Sequence, residues 1–350
     1  MAYTTINKSG DYFNTKLYTG DDTNNREISL GLTPDLTWIK ARNVAYGHIL
    51  FDRIRGLGFS LNSNNTNADR NVGSEFGWSN SGCTTDSFTV DRGSNESLNE
   101  SGRPMVAWNW KANGTGSANT DGSISSTVSA STTSGFSIVT YDGTGSAGAT
   151  VGHGLGVAPS MILAKKMDGA ASNWAVYHKS LGATKYLILN STTASVTSNT
   201  RWNNVEPTSS VFTVGSSGDV NNNGETVVAY CFAEKKGFSK FGSYTGNGST
   251  DGTFIYTGFK PAFVIFKKTS ATANWSVRDN KRDSFNAGDT NLFANLSDAE
   301  SSSNDVDFLS NGIKLRNAGN NWNSSGATYI YMCFAESPLV GTNNIPTTAR

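Results

Sequence analysis

The sequence has few charges and few metal-binding or nucleophilic side chains. Only 16% of its 350 residues are charged, Lys+Arg and Asp+Glu number 28 each, and there are 3 Cys, 3 His and 7 Pro. The balanced charge provides neither a basic surface for nucleic acid nor an acidic tail. Apolar runs extend over only a handful of residues, too few to span a bilayer. We therefore predict neither nucleic-acid binding nor membrane insertion.

The cysteines and histidines also exclude several kinds of site. Cys83, Cys231 and Cys333 are odd in number and far apart, which excludes a disulfide framework and a Cys-x-x-Cys zinc site. Cys231 and Cys333 lie in aromatic strings, where a cysteine is typically a small buried hydrophobe. No two histidines have the spacing of a zinc pair. We predict no metal site, no cofactor and no catalytic residue.

Small polar and aromatic residues are abundant instead. Gly, Ser, Thr and Asn make up about 45% of the chain, against roughly a quarter in an average protein. Aromatic residues reach 11%, with 8 Trp, which is too many for a disordered polar chain. Short apolar runs bounded by Gly, Asn, Ser and Asp predict many short strands, and no stretch has a helical period.

Three stretches of the chain repeat the same landmarks in the same order. Each begins with a Phe and a Tyr-x-Gly string, continues with a Pro followed six residues later by a Lys, and ends in an aromatic strand. The Tyr-x-Gly strings start at Tyr18, Tyr141 and Tyr244, and the prolines are Pro34, Pro159 and Pro261. The closing strands lie at 106–110, 228–232 and 330–334. A period near a hundred residues suits a self-contained β domain.

These repeats predict an all-β chain of three tandem antiparallel β-sandwich or jelly-roll domains. We place the domains at residues 1–112, 135–236 and 237–338. Residues 113–134 are almost wholly Gly, Ser, Thr, Asn and Ala, which predicts a flexible linker. The alternative is that Ile124 and Val128 pin a short extended segment to a neighbour. Residues 339–350 are predicted to be an extended C-terminal arm.

Several motifs look chemical but fit structural roles better. Gly143-Thr-Gly145-Ser-Ala-Gly148 matches a dinucleotide fingerprint, but another glycine turn follows where a helix is needed. Glu234 and Glu336 recur at the end of the closing strand, and recurrence favours a structural role over a glycosidase acid. The Asp219–Gly224 loop has oxygen donors but not the spacing of a calcium loop.

One polar position recurs at the end of a predicted strand in each repeat. It is Asp52 in the first repeat, His178 in the second and Asp279 in the third. A strand-end hydrogen bond explains this position better than a catalytic base does. The repeated lysines, which are Lys40, Lys165 and Lys267, are interpreted as strand-end residues whose ammonium groups reach water.

Tryptophans supply the candidate contact residues. Trp78 and Trp202 occupy matching loop positions among small polar residues, and Trp322 has a similar context. An exposed indole flanked by amides is typical of a sugar-stacking platform. The alternative is that these side chains cap the edge of a sandwich or lie in a subunit interface.

The motifs resemble a repeat family of tailed-phage structural proteins, typical of phages of marine bacteria and cyanophages. The resemblance is carried by Tyr12-Phe-Asn-Thr-Lys-Leu-Tyr-Thr-Gly20, Pro34-Asp-Leu-Thr-Trp-Ile-Lys40 and the Cys-Phe-Ala-Glu strings, and it covers nearly the whole chain. It implies lectin-like (concanavalin A-like) β-sandwiches in an oligomeric virion fibre or decoration protein. It implies no catalytic residues.

We therefore expect a non-enzymatic virion structural protein that is a tail fibre, a head fibre or a decoration protein. It would contact other tail or capsid proteins, most simply with residues 1–112 as the domain that docks to the particle. It would also take part in host attachment and form a homo-oligomer, with a trimer as the hypothesis. One alternative is a carbohydrate-binding receptor protein that recognises a host surface glycan through Trp78 and Trp202. A third, weaker hypothesis is a polysaccharide depolymerase.

Overall fold

The computed structural model describes residues 3–56, 58–78, 86–93, 97–343 and 345–346, without the side chains of Trp78 and Asn304. Within these ranges the chain is nearly all β, as predicted, and its single α-helix, α1, spans only Gly218–Asn221. Two short 3-10 helices lie at Ser9–Asp11 and Gly73–Glu75. Among the described residues, no helix is long and apolar enough to cross a membrane.

The first repeat, here called unit 1, contains nine strands in two sheets. The strands are β1 (Phe13–Thr19), β2 (Arg26–Ser29), β3 (Leu36–Ala41), β4 (Ile49–Asp52), β5 (Phe59–Asn62), β6 (Arg70–Asn71), β7 (Phe76–Trp78), β8 (Ser87–Val90) and β9 (Pro104–Trp110). The main sheet has the order β1-β9-β3-β4-β5-β6, and the minor sheet has the order β2-β8-β7. All pairings are antiparallel.

Unit 2 repeats this plan. Its strands are β10 (Ser117–Asn119), β11 (Ser126–Ser131), β12 (Phe136–Asp142), β13 (Ala149–Gly152), β14 (Met161–Lys166), β15 (Ala175–His178), β16 (Lys185–Ile188), β17 (Val196–Thr197), β18 (Val211–Val214) and β19 (Thr226–Phe232). The main sheet has the order β10-β11-β12-β19-β14-β15-β16-β17, and β13 pairs with β18.

Unit 3 forms one continuous sheet that includes the equivalents of both sheets. Its strands are β20 (Ser239–Thr245), β21 (Phe254–Tyr256), β22 (Phe259–Lys268), β23 (Trp275–Asp279), β24 (Gly288–Phe293), β25 (Ser301–Leu309), β26 (Gly312–Leu315) and β27 (Thr328–Pro338). The order is β20-β27-β22-β23-β24-β25-β26-β21. Matching strand orders make β1, β12 and β20 equivalent, and likewise β9, β19 and β27.

The segment predicted as a flexible linker belongs to the main sheet of unit 2. β11 pairs with β12 from Ser126↔Tyr141 to Ser131↔Phe136, and β10 pairs with β11. Ile124 bridges Val151, and Ile124 and Val128 are both buried. The linker prediction is therefore wrong for residues 117–131, and the alternative of a pinned extended segment is correct. Composition misled because small polar residues also suit an edge strand that packs closely on its neighbour.

The Tyr-x-Gly string makes the same turn in every unit. The Tyr hydroxyl donates to a backbone carbonyl near the end of the same unit, over 2.7–2.8 Å; the pairs are Tyr18 with Leu98, Tyr141 with Val220, and Tyr244 with Trp322. The residue after each accepting carbonyl is an Asn. Its side-chain Oδ1 accepts a hydrogen bond from a backbone N–H of the turn. A Cβ on Gly143 would lie 2.3 Å from the carbonyl oxygen of Asn222, so only glycine fits.

Each main sheet is buried on both faces. One face packs on the minor strands of its own unit and forms a separate small core. The other face joins a central core to which all three units contribute, including Trp38, Trp174 and Trp275. The strands β3 and β14 are accordingly buried at every position. Because this core is shared, whether each unit folds alone stays a prediction.

Three equivalent aromatic residues meet at the centre of the shared core. Trp110, Phe232 and Phe334 occupy equivalent positions in β9, β19 and β27, and their ring centroids lie 6.3, 5.8 and 6.0 Å apart. All three pairs are edge-to-face, the arrangement that aromatic pairs prefer. Three nearly equal distances between equivalent residues place a pseudo-threefold axis through this triangle.

Backbone hydrogen bonds close the units into a ring. Asp69 N–H donates to Met167 at 2.6 Å, Ser195 N–H donates to Thr269 at 3.0 Å, and Glu300 N–H donates to Arg42 at 2.7 Å. The last bond returns from unit 3 to unit 1. The accessible surface of 12459 Å² lies below the roughly 13,700 Å² expected for a monomer of this mass. The chain is therefore one compact body.

Candidate functional site

The polar positions at the strand ends lie at the junctions between units. Asp52 accepts a hydrogen bond of 2.8 Å from the hydroxyl of Tyr230 in unit 2. Asp279 accepts one of 3.0 Å from the indole N–H of Trp108 in unit 1. Both carboxylates are fully buried. The interpretation of this position as a structural hydrogen bond is confirmed, and the partner belongs to the neighbouring unit.

An arginine three residues later neutralises each buried carboxylate. Arg55 Nε lies 2.5 Å from Asp52, and Arg282 Nε lies 2.6 Å from Asp279. Arg55 also binds Asp69 at 2.9 Å. Buried carboxylates need such pairing because desolvation otherwise favours their neutral form.

At the junction between units 2 and 3, an uncharged side chain makes the hydrogen bond to the neighbouring unit. Here His178 replaces the aspartate, Leu181 replaces the arginine, and Met332 stands where the other units have Trp108 or Tyr230. His178 Nε2 lies 3.2 Å from the carbonyl oxygen of Tyr331. Burial lowers the pKa of His178 to about 4, so the ring is neutral at pH 7. A methionine cannot donate a hydrogen bond, and the histidine uses the adjacent backbone instead.

A second set of contacts follows the same cyclic order. Trp174 Nε1 donates to the carbonyl of Asn62 in unit 1 at 2.8 Å, and Trp275 Nε1 donates to that of Ile188 in unit 2 at 2.9 Å. His48 occupies the equivalent position in unit 1 and faces the carbonyl of Phe293, although its Nε2 has no well-aligned hydrogen bond. Burial, ahead of the charge of Lys40, holds the pKa of His48 well below its usual value.

The repeated lysines are buried at the junctions, which contradicts the interpretation that they reach water. All three are fully buried. Lys165 Nζ binds the carbonyls of Ser172 at 2.7 Å and of Thr66 in unit 1 at 3.0 Å. Lys267 Nζ binds those of Ala273 at 2.6 Å and Thr192 at 2.8 Å. The lysines alternate with core residues on the strand face that meets the neighbouring unit, so packing of the units excludes water.

Burial lowers the pKa of all three ammonium groups. The pKa falls to about 8 for Lys40 and Lys165 and to about 7 for Lys267. At Lys40, the carboxylates of Asp298 and Glu300 in the adjoining unit 3 partly oppose the effect of burial on the pKa.

A family model describes nearly the whole chain. It is a domain of unknown function, DUF7483, and it matches residues 8–338. The chain belongs to this family. The matched range includes all three units in one model, in agreement with a single closed body. No curated protein and no solved structure matches the chain.

Two of the three candidate tryptophans of this DUF7483 chain are buried in cores. Trp202 is 1% exposed and packs edge-to-face on Tyr177, with ring centroids 6.0 Å apart. Trp322 is 6% exposed and donates from Nε1 to Asn317 at 2.5 Å. Of the two interpretations given for these residues, the exposed sugar platform is wrong for Trp202 and Trp322, because the loops fold their indoles inward. Trp78 ends β7, and its side chain lies outside the described residues.

The recurring glutamates are engaged in ion pairs. Glu234 binds Lys179 at 2.6 Å and Lys240 at 2.8 Å. Burial acts to raise its pKa, but the two lysines outweigh burial and hold the pKa below its usual value. Glu336 binds Lys260 at 2.6 Å. A glycosidase needs a carboxyl group with a raised pKa as its general acid, and Glu234 is the opposite.

The remaining candidates have structural partners. Cys231 and Cys333 are fully buried, as predicted, and burial raises the pKa of both thiols. Cys83 lies outside the described residues. In the Asp219–Gly224 loop, Asp219 binds Arg201 and the backbone N–H of Asn173. No group of three or more His, Cys, Asp or Glu side chains that could hold a metal occurs in the described part of the chain.

The sequence reasoning missed one group of structural residues. Asn99, Asn221 and Asn323 are fully buried and anchor the Tyr-x-Gly turn of their units. Each Asn precedes its closing strand by the same number of residues, which was the available signal. Asparagine is so common in this chain that its recurrence at this one position is not conspicuous.

Proposed function

We propose that this chain is a non-enzymatic virion structural protein, a fibre or decoration component that acts through contacts with other virion proteins. The closed ring of three units carries the proposal. Charged and aromatic side chains that an enzyme would place in a cleft are here used to join units. A rigid body with three related faces is suited to attachment and spacing.

The polar clusters support a structural role over catalysis. The carboxylates at the junctions are neutralised by arginines in direct contact, and the histidines have lowered pKa values and are buried. A general acid or base needs a pKa near the working pH and access to substrate. Lys267 has a suitable pKa, but its ammonium group is enclosed by two backbone carbonyls.

The proposal is tested on purified particles of a phage that encodes this protein. Peptide mass spectrometry and a density map of the intact particle are recorded together. We expect the chain at a stoichiometric copy number, with a three-lobed density attached to the tail or the capsid. Absence of its peptides from the particle would contradict the proposal.

A role in glycan binding is a second proposal, and exposed aromatics on one strand favour it. Phe254 and Tyr256 lie two residues apart on β21 and are 44% and 56% exposed. Side chains at i and i+2 of a strand share a face, so the two rings form an apolar platform. We expect F254A/Y256A to lose binding on a host-glycan array, with V157A as the exposed control.

The proposed homo-oligomer would have to use surfaces other than the main sheets, because both faces of each main sheet are already covered within one chain. Light scattering of the purified chain distinguishes a monomer from a trimer by its mass. A mass of 37.2 kDa at micromolar concentration would contradict the trimer hypothesis, and three times that mass would support it.

A further inference from the structure

The outer edges of the three equivalent strands β1, β12 and β20 are treated differently. In each strand, alternate residues turn their backbone N–H and C=O groups away from the closing strand. These outward residues are Thr15 and Leu17 in β1, Ile138 and Thr140 in β12, and Phe241 and Ser243 in β20, as the register shows. An outward edge of this kind is a template for another strand.

The chain itself covers the edge of β12. β11 adds to it antiparallel over six residues, with Ser129 opposite Ile138 and Thr127 opposite Thr140. The added strand is Ser126-Thr-Val-Ser-Ala-Ser131, which contains no charge. The molecule therefore shows which kind of segment this position accepts.

Side chains cap the edge of β20 at Phe241 and Thr245, on either side of the exposed Ser243. The carboxylate of Glu234 accepts from the outward N–H of Phe241 at 3.4 Å and is held by Lys240 and Lys179. The hydroxyl of Thr253 donates to the outward carbonyl of Thr245. Capping an edge with charged groups is a common way to prevent strand addition.

Among the described residues, no strand pairs with the outer edge of β1 and no side chain caps its outward groups before Thr19. Glu336 is the equivalent of Glu234, but it binds Lys260 instead of reaching the strand. In the part of the chain that the structure describes, the outward backbone groups of Phe13, Thr15 and Leu17 have no hydrogen-bond partner. Only the far end is occupied, where Arg26 binds the carbonyl of Thr19.

A cavity beside this edge contains unsatisfied polar atoms. Its volume is about 150 Å³, and Phe13, Thr15, Asn280 and Lys281 are among the residues that line it. Thr15 Oγ1 and Asn280 Oδ1 are buried there without a hydrogen-bond partner among the described residues, and Thr15 is only 7% exposed. Buried polar atoms are normally satisfied, and hydroxyl groups of a segment bound at this edge would supply partners for these two.

We propose that the outer edge of β1 binds an extended, uncharged, Ser/Thr-rich segment of a partner protein as an added antiparallel strand. The main chain of that segment pairs with Thr15 and Leu17, and its hydroxyl groups satisfy Thr15 and Asn280. Strand addition to an exposed edge is an established mode of peptide recognition. The inference rests on the proposed function only in assigning the chain a binding partner.

The test uses the full chain and a labelled synthetic peptide with the sequence of residues 124–133. Fluorescence anisotropy measures binding, and hydrogen exchange measures protection of individual amides. We expect saturable one-to-one binding and slower exchange at Thr15 and Leu17. Absence of binding up to millimolar peptide overturns the proposal. Faster exchange at Thr127 and Ser129 also overturns it, because the peptide would then have displaced β11 from β12.

A matched pair of variants locates the site. Leu17→Pro removes an outward N–H without breaking the ladder to β9, and Ser243→Pro makes the equivalent change on β20. We expect at least a tenfold weaker binding for L17P and unchanged binding for S243P. Equal binding to L17P and the unmodified chain overturns the proposal.

Backbone methylation of the peptide tests strand addition without any variant of the protein. Peptides N-methylated at the residues that match Thr127, Ser129 and Ser131 lose the amides that face the edge and are expected not to bind. Methylation at the intervening residues should leave binding intact, and equal binding of both peptides would contradict strand addition. Presence in particles is measured separately, so failure here leaves the proposed function standing.

Discussion

At the residue scale, the junctions use matched sets of side chains. Asp52, Arg55 and Tyr230 form one set, and His178, Leu181 and Met332 form its uncharged counterpart between units 2 and 3. The buried polar groups of a set depend on one another for hydrogen bonds. Replacing one residue by its counterpart from the other set therefore leaves a buried polar group without a partner. The complementarity belongs to the set and not to any one residue.

We predict that Asp52→His destabilises the fold strongly and that the whole set exchanges better than one member. The single variant leaves Arg55 and Tyr230 without the buried carboxylate, which costs about 3 kcal/mol of the free energy of unfolding. The triple variant D52H/R55L/Y230M removes the guanidinium and the hydroxyl left unpaired, although it also takes Arg55 from Asp69, and it should recover part of that loss. Urea unfolding measures both, and a triple variant less stable than the single one would contradict the account.

The buried lysines predict an unusual dependence of stability on pH. An unfolded lysine has a pKa near about 10.4, whereas burial lowers the pKa values in the fold to about 8, 8 and 7. Between these values the unfolded chain binds more protons, so the free energy of unfolding rises with pH. We expect the free energy of unfolding to increase from pH 7 to pH 9.5, with a slope of up to about 1.4 kcal/mol per pH unit for each lysine.

Lys267→Met tests the origin of this slope. Methionine keeps the apolar stem and removes the titrating group, so the slope between pH 7 and pH 9.5 should fall by roughly one third. Lys281→Met, at an exposed position, is the control and should leave the slope unchanged. A flat or falling stability curve for the unmodified chain in this range would show that the lysines are not buried as described.

At the scale of single elements, the Tyr-x-Gly turn depends on close approach of two backbones. A Cβ at position 143 would lie 2.3 Å from a carbonyl oxygen, whereas one at Gly10 would meet nothing within 4 Å. We predict that Gly143→Ala lowers the free energy of unfolding by about 2 kcal/mol and that Gly10→Ala has little effect. The denaturant midpoints of the two variants are compared, and equal midpoints would contradict the turn geometry.

The added strand β11 is a second element with a clear signature. The register predicts that the amides of Thr127 and Ser129 bond to β12. We expect these amides to exchange with solvent far more slowly than those of an unstructured chain. Exchange at the unstructured rate, measured by NMR or mass spectrometry, would restore the interpretation of a flexible linker.

Short-range patterns predicted the elements well. The alternation in Phe136 and Ile138, and in Trp174 and Val176, correctly placed each pair on one face, and that face is the central core. The candidate site was predicted less well. Trp202 has polar sequence neighbours, which suggested exposure, yet its indole turns into the core of unit 2. Local composition reports where a loop lies and not which way one side chain points.

At the scale of the whole molecule, the arrangement of the units was not predictable from the repeats. The alternation of apolar residues predicted one buried face per strand, whereas β14 is buried at every position because the other units supply the second cover. The contacts that decide this, such as Trp108 with Asp279, join residues far apart in sequence.

Small-angle X-ray scattering of the purified chain tests the closed ring most directly. A compact body of 350 residues has a radius of gyration of about 20 Å, and we predict this value with a globular, single-peaked distance distribution for the monomeric fraction. A clearly larger radius, with a distribution extended like three separate domains on a string, would contradict the shared core and the pseudo-threefold axis.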